Sequence, residues 1–328
     1  MTGRALLPAL GLLVAALFLA SLVTGPAGIG AGEGLAALVT GDGAAGMVMR
    51  EIRLPRAILG LAVGAALGLA GAAMQGFLRN PLAEPGLIGT TSAAALGAVI
   101  AIHTGLYAVF ALALPLMALA GAAVAVGLIL ALAGPRGRAL SLILAGIAIS
   151  ALMGALTALA LNLAPSPYAA TEIVFWMMGS LADRSMQHVW LALPFLGLGA
   201  ALLAATGRGL DALTLGEDAA ESLGVSLTAL RLQIVFGTAA LVGAATAVAG
   251  AVGFVGLVVP HLLRRAVGAR PAALLPASAL GGAAMLLAAD IATRLVLPDR
   301  DLKLGVLTAL VGAPFFLQLV RRMGREGA

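Results

Sequence analysis

Cysteine is absent from the 328 residues, charged side chains make up only 10%, and aromatics only 4%. Without cysteine no thiolate metal site can form, and the sequence carries no mark of a redox compartment. The scarcity of charge excludes a water-soluble fold, because a soluble domain is about a quarter charged. Here 62% of residues are hydrophobic and the mean hydropathy is +1.10, so too few polar groups exist to cover the apolar surface. Aromatic girdles and short alternating segments, the marks of a transmembrane β-barrel, are also missing. The apolar runs are long and continuous instead, with 44 glycines and abundant alanine. Small residues let helix backbones approach closely where lipid supplies no hydrophobic drive between them. The composition therefore predicts an all-α polytopic membrane protein. Its net charge of +5 does not point to nucleic acid, since the basic residues do not cluster but sit at the ends of apolar runs.

A span needs about twenty apolar residues. Runs between charges and Pro/Gly breaks predict about ten transmembrane helices, near 6–24, 56–76, 87–106, 109–133, 139–161, 190–206, 230–251, 253–266, 273–296 and 305–321. The eighth is too short to cross squarely and must be tilted, or a half-helix shielded by neighbours. Arg4 and the run to Val23 have the shape of a signal peptide, but the topology needs this segment as the first span. With the N-terminus inside, Arg4, Arg79, Arg136, Arg138, Arg208, Arg231, Arg264, Arg265, Arg270, Arg321, Arg322 and Arg325 are cytoplasmic. Arg50, Arg53, Arg56, Arg184, Arg300 and Lys303 are then outside, with Arg294 near the outer end of the ninth run. That sorting follows the positive-inside tendency, favours an even number of spans, and puts both termini in the cytoplasm. The chain reads as a single membrane domain over 1–328, with no soluble domain and no repeat of fixed period.

Three segments outside the spans are long. The first is Gly25 to Pro55; the second, Asn162 to Val189, is expected to hold a helix lying along the outer surface. The third, 207–230, is cytoplasmic and contains Gly216-Glu217-Asp218-Ala219-Ala220-Glu221-Ser222-Leu223-Gly224. The two glycines bracket about two helical turns, and Glu217 and Asp218 occupy the first turn, where the helix dipole favours acids. Leu215, Ala219, Ala220 and Leu223 give an apolar side. By spacing alone this is either a solvated connector or a docking element for a soluble partner.

This loop and other stretches resemble the FecCD or BtuC-like permeases, the membrane subunits of type II ABC importers for iron–siderophore complexes, haem and vitamin B12. The stretches are Ile52-Arg53-Leu54-Pro55-Arg56, Val63 to Leu67 through Gln75, Arg79-Asn80-Pro81-Leu82-Ala83-Glu84-Pro85-Gly86-Leu87-Ile88-Gly89, and Leu215 to Gly224. Gly253-Phe254-Val255-Gly256-Leu257-Val258-Val259-Pro260-His261-Leu262-Leu263-Arg264, Gly305, Thr308-Ala309 and Gly312-Ala313-Pro314-Phe315-Phe316 complete them, in the family's order. The chain departs from the family at Asp301-Leu302-Lys303-Leu304-Gly305, where Lys303 replaces a residue before the last helix.

The resemblance implies a homodimer in a bacterial cytoplasmic (inner) membrane, with cargo passing along the interface by alternating access. It implies that 216–224 is a coupling helix seated on a separate ATP-binding cassette subunit, two per dimer. No G-x-x-x-x-G-K-[ST] loop occurs here, so ATP and magnesium belong to that partner and this chain carries no cofactor and no catalytic residue. Arg53 and Arg56 match arginines that receive acidic residues of a periplasmic or lipid-anchored substrate-binding protein; exposed pairs of that kind orient docking more than they add affinity. Read without the family, the same two arginines are interfacial anchors at the start of the second span.

Pathway and gate candidates are Leu140 and Ser141, with Gly146, Ser150 and Trp176. Asn80 to Pro85 cannot continue a helix, because two prolines remove donors, and is expected to form a rigid cytoplasmic reversal with a structural role. Asp290 and Arg294, spaced i,i+4, are expected to pair near the outer interface. His103, His188 and His261 fall at different membrane ends and make no metal site. The alternative, an ion-coupled secondary transporter, would want intramembrane acids or broken helices at mid-bilayer, and in the sequence only Asp290 offers itself. An intramembrane enzyme would need a nucleophile with its base or a paired-carboxylate site, and none is evident.

Overall fold

The computed structural model describes residues 3–134, 139–296 and 302–326. Arg136, Arg138 and Arg300, which the charge sorting uses, lie outside the described residues. Every described element is helical, and no strand occurs among them. In chain order the α-helices are α1 (Gly3–Val23), α2 (Ala31–Thr40), α3 (Gly43–Met47), α4 (Leu54–Phe77), α5 (Thr90–His103), α6 (Leu106–Val109), α7 (Ala113–Ala133) and α8 (Ala139–Asn162). They continue as α9 (Pro167–Met177), α10 (Met186–Ala204), α11 (Gly207–Leu213), α12 (Glu217–Ser222), α13 (Leu227–Ala249), α14 (Val255–Arg264), α15 (Pro271–Val296) and α16 (Leu304–Glu326). A π-helical turn, Val48–Arg53, runs into α4, and a 3-10 turn, Pro85–Ile88, precedes α5.

Each of the ten expected runs holds a helix, but among the described residues seven helices are long and apolar enough to cross a membrane. These are α1, the run ending in α4, α7, α8, α10, α13 and α15, and they make the chain a multi-pass membrane protein. Two of the others are half-helices. The run expected at 87–106 begins as the 3-10 turn and leaves only 14 residues in α5; α14 has 10. At 1.5 Å per residue these reach about 21 and 15 Å, short of an apolar core of about 30 Å. The helix expected in 162–189 is present as α9.

α4 and α13 are buried along nearly their whole length, while α1, α7, α8 and α10 leave one face outward. The closest packing joins α4 to α15, and glycine makes it possible. A Cβ added at Gly68 would fall on the carbonyl oxygen of Ser278, and one at Gly282 on that of Gly64. Gly71 meets the backbone of Gly256 at the start of α14 in the same way. Gly68→Val should therefore destabilise the protein by about 3 kcal/mol or more, because α15 must move away. Gly11→Ala on α1, where nothing lies within 4 Å, should not. Thermal unfolding in detergent compares the two.

Candidate functional site: two ends of the bundle and a cavity between them

α12 lies at the end of the bundle where α4 and α10 finish and α13 and α15 begin. Gly216 (φ +108°) and Gly224 (φ +84°) bound it in backbone conformations that favour glycine, which fixes its length at six residues. Ala220 is fully buried against the bundle, whereas Leu215 (69% exposed) and Leu223 (64%) face outward with Glu217, Asp218 and Glu221. Ser222 Oγ donates back to Asp218 O at 2.9 Å. The apolar side expected from sequence is thus divided: Ala220 anchors the helix and the two leucines are free. Beside it, Asp211 on α11 accepts from Ala272 N and from Arg270 Nη2, both at 2.9 Å. That carboxylate occupies one backbone donor that the first turn of α15 cannot satisfy itself, and so ties the α11–α12 unit to α15. Sequence reading gave Asp211 no role; the cap joins residues 61 apart.

At the opposite end, one aspartate holds two arginines. Asp290, 1% exposed on α15, pairs with Arg56 at 2.8 Å and with Arg294 at 2.8 Å. The i,i+4 pair expected from sequence is present. The last carbonyls of α1 have no partners within their own helix, and this cluster supplies them. Arg53 Nη1 donates to Leu22 O (3.0 Å) and Val23 O (3.2 Å), and Arg294 Nη1 to Ser21 O (2.9 Å) and Thr24 O (2.8 Å). Arg53 is therefore 4% exposed and caps α1, not the open guanidinium that the docking expectation assumed; Arg56, with 19% of its side chain exposed, lies nearer the surface. Arg50 is exposed and donates to Leu38 O and Val39 O.

Between the two ends the chain makes two breaks that meet. After α4, Arg79 takes a positive φ (+50°) and Asn80 Oδ1 accepts from Leu82 N at 2.9 Å, giving the rigid reversal expected from the prolines. The segment then climbs into the bundle rather than staying at its end. Glu84 Oε1 accepts from Phe254 N at 3.1 Å, where α13 has stopped and α14 not yet begun. Glu84 lines a cavity of about 380 Å³ with Leu67, Thr91, Ser92, Ile147 and Ser150. Gly256, on its wall, abuts the carbonyl of Leu67. Leu67 lies thirteen residues after Leu54 and ten before Phe77, so about 20 and 15 Å along the helix from either end. The cavity therefore lies beside the middle of α4.

Of the pathway candidates, only Ser150 reaches this cavity. Leu140 and Ser141 are exposed at the start of α8, and Gly146 is buried where a Cβ would strike Leu87 O. Trp176 closes α9 against α5 and does not line the cavity. Lys303 stacks its Nζ 5.3 Å over the Phe175 ring, which accounts for a lysine at that turn. His103, His188 and His261 sit on α5, α10 and α14, and His261 packs edge-on against Phe315.

The model of the FecCD transport family matches residues 12–322. The chain belongs to that family. Among similar FecCD-family permeases is the vitamin B12 import system permease BtuC of Salmonella paratyphi A, 38% identical over 316 residues, 96% of this chain and 94% of that one. The cobalamin import permease BtuC of Halobacterium salinarum is 40% identical over 278 residues, covering 84% and 73%. The uncharacterized ABC transporter permease YvrB of Bacillus subtilis is 40% identical over 285 residues, covering 85% and 80%. A solved metal-chelate type ABC transporter in an inward-facing conformation superposes with a TM-score of 0.85 at 33% identity, covering 97% of this chain and 99% of that one. The relatives are permease subunits, and this FecCD chain is an ABC importer permease.

Proposed function

We propose that the chain, as a homodimer in the cytoplasmic membrane, carries a large chelate (an iron–siderophore complex, haem or a cobalamin) inward under the power of two separate ATP-binding cassette subunits. The observation that carries this reading is α12: a short helix fixed to the bundle by Ala220, offering two bare leucines and three acids to a soluble partner. Force applied there reaches α15 through the Asp211 cap, and from α15 it reaches α4 through their glycine contact. The end bearing α12 is cytoplasmic in this reading, and the ten helices all count as membrane elements, α5 and α14 being half-spans shielded by their neighbours. α8 and α16 keep apolar faces outward in the single chain, at Leu144, Ile147, Leu152, Leu310, Val311 and Leu317, which suits them to pair with a second copy around the cargo path. At the far end an acidic binding protein would meet Arg56 and Arg50, with Arg53 and Arg294 holding that rim to α1.

Glu84 at the two helix breaks is the one feature that an ion-coupled secondary transporter would also want. Uptake into liposomes holding the permease, its ATPase and its binding protein separates the two. Transport should require ATP and survive collapse of the proton gradient. Transport that stops with the gradient while ATP is maintained would overturn the importer reading.

A further inference from the structure

Phe254 turns the chain into α14 with φ +68° and ψ −22°. A bulky side chain at positive φ is an outlier, because Cβ crowds the following carbonyl, and it persists only where the surroundings hold it. Glycine would make the same turn without that cost, and the break already has Gly250 at φ +70° and Gly253 beside Phe254. The side chain at 254 is therefore not there for the turn. Glu84 Oε1 accepts from Phe254 N at 3.1 Å, and Phe254 O accepts from Leu257 N (3.2 Å) and Val258 N (2.8 Å), which opens α14. The ring lies in a notch on α16: a Cβ added at Gly312 would fall on the Cβ and ring of Phe254. Gly312 shares a face of α16 with Gly305, Thr308 and Phe315, which recur at helical spacings of three and four. On that face Gly305 abuts the carbonyl oxygen of Ala251, and Phe315 meets His261 edge-on at 5.7 Å between ring centres. Leu310, Val311 and Leu317 are exposed on the other side of the helix. Behind Phe254, α14 is fastened to α4. Gln75, fully buried, donates from Nε2 to Leu257 O at 3.2 Å and accepts at Oε1 from Arg264 Nη2 at 2.7 Å.

We propose that Phe254 is a positioning residue for transport: a wedge, held in a strained turn, through which the α4–α14 unit moves α16. This rests on the importer reading and deepens it, since force that reaches α4 from α15 still needs a route to the α16 face that a second copy would cover. The turn has two arrangements. With φ positive, the ring fills the notch at Gly312 and α16 is propped against α14. With φ negative, the backbone strain is relieved, Cβ points elsewhere and the notch empties. A packed contact of this kind switches between arrangements and does not deform smoothly, so a small tilt of α14 becomes a discrete change at α16.

The test is uptake by the complete complex in liposomes, with ATP hydrolysis measured on the same samples. The probe is whichever of cyanocobalamin, a ferric hydroxamate siderophore and haemin the wild type takes up fastest. Phe254→Gly and Phe254→Ala both empty the notch, but only alanine keeps a Cβ at positive φ. The glycine variant should therefore unfold at a temperature a few degrees above the alanine variant. Both should nevertheless lose uptake per ATP hydrolysed to the same extent, by about threefold or more. Phe254→Met, whose flexible side chain refills the notch, should stay within about twofold of the wild type. Gly312→Ala, whose Cβ takes the place of the ring, should show the loss as well, and adding it to Phe254→Gly should cost little more, because the notch is already empty. Wild-type coupling in Phe254→Ala, a loss that ranks with thermal stability, or losses that multiply in the double variant would each overturn the wedge. Should the variants at 254 fail to assemble, Gly312→Ala alone reads the same contact, and unchanged coupling there overturns it. Uptake by the wild type that proceeds without ATP would overturn the importer reading alone, since uptake by the variants relative to the wild type still reports the wedge.

Discussion

Leu215→Ser combined with Leu223→Ser should release the ATPase subunits from the permease while leaving the permease folded. Both side chains stand outside the core at either end of α12, 69% and 64% exposed, while Ala220 holds the helix to the bundle. Burying two leucines in a partner's groove contributes on the order of 3 kcal/mol, so their loss should weaken the ATPase by about a hundredfold in Kd. Glu217→Gln with Glu221→Gln should behave differently. Exposed charges orient a partner and set its rate of encounter more than they hold it. That pair should keep the ATPase bound, raise its sensitivity to the orientation of docking, and lower transport per ATP hydrolysed. Titrating the ATPase against the permease in lipid nanodiscs, with hydrolysis and uptake measured on the same samples, distinguishes the variants. Unchanged affinity in the leucine pair together with unchanged coupling in the glutamate pair would remove α12 from the mechanism.

Asp290→Asn should have the largest effect on stability. Its carboxylate is 1% exposed and neutralises Arg56 and Arg294. Removing it leaves the buried Arg294 and the partly buried Arg56 without that shared carboxylate, and breaking a buried pair in this way costs about 3–5 kcal/mol. Asp290→Asn with Arg294→Met removes the charge along with its partner and should recover part of the loss, although the caps on Ser21 O and Thr24 O go with it. Unfolding of the three proteins in detergent gives the coupling between the sites. A cost below about 1 kcal/mol for Asp290→Asn would mean that water or lipid headgroups already screen the cluster.

Much of this was legible before any coordinates. Each of the ten apolar runs holds a helix, although among the described residues only seven helices are long enough to cross a membrane, and Gly216 and Gly224 mark the limits of α12. Both readings rest on local physics: a run of apolar residues folds as a helix wherever it lies, and glycine at a positive φ ends one. The pairing of Asp290 with Arg294 is equally local, one turn of a single helix. Other features were closed to that reasoning. The run at 87–106 looked like a full span, yet it enters half-way up the bundle. Asn80 to Glu84 looked like a loop at the surface, yet Glu84 reaches a backbone amide 170 residues later. Arg53 looked exposed, yet it closes the end of a helix 30 residues earlier.

The sequence by itself determined that this is a bundle of membrane helices from the FecCD family with an acidic helix projecting from one end, since composition, run length and motif order depend on no contact between distant residues. Only the tertiary structure decided how deep each polar residue lies and what it faces. Depth follows from how closely helices pack, and here the backbone of α4 touches both α15 and α14 at glycines, which draws the two chain breaks together and carries a carboxylate in among the helices.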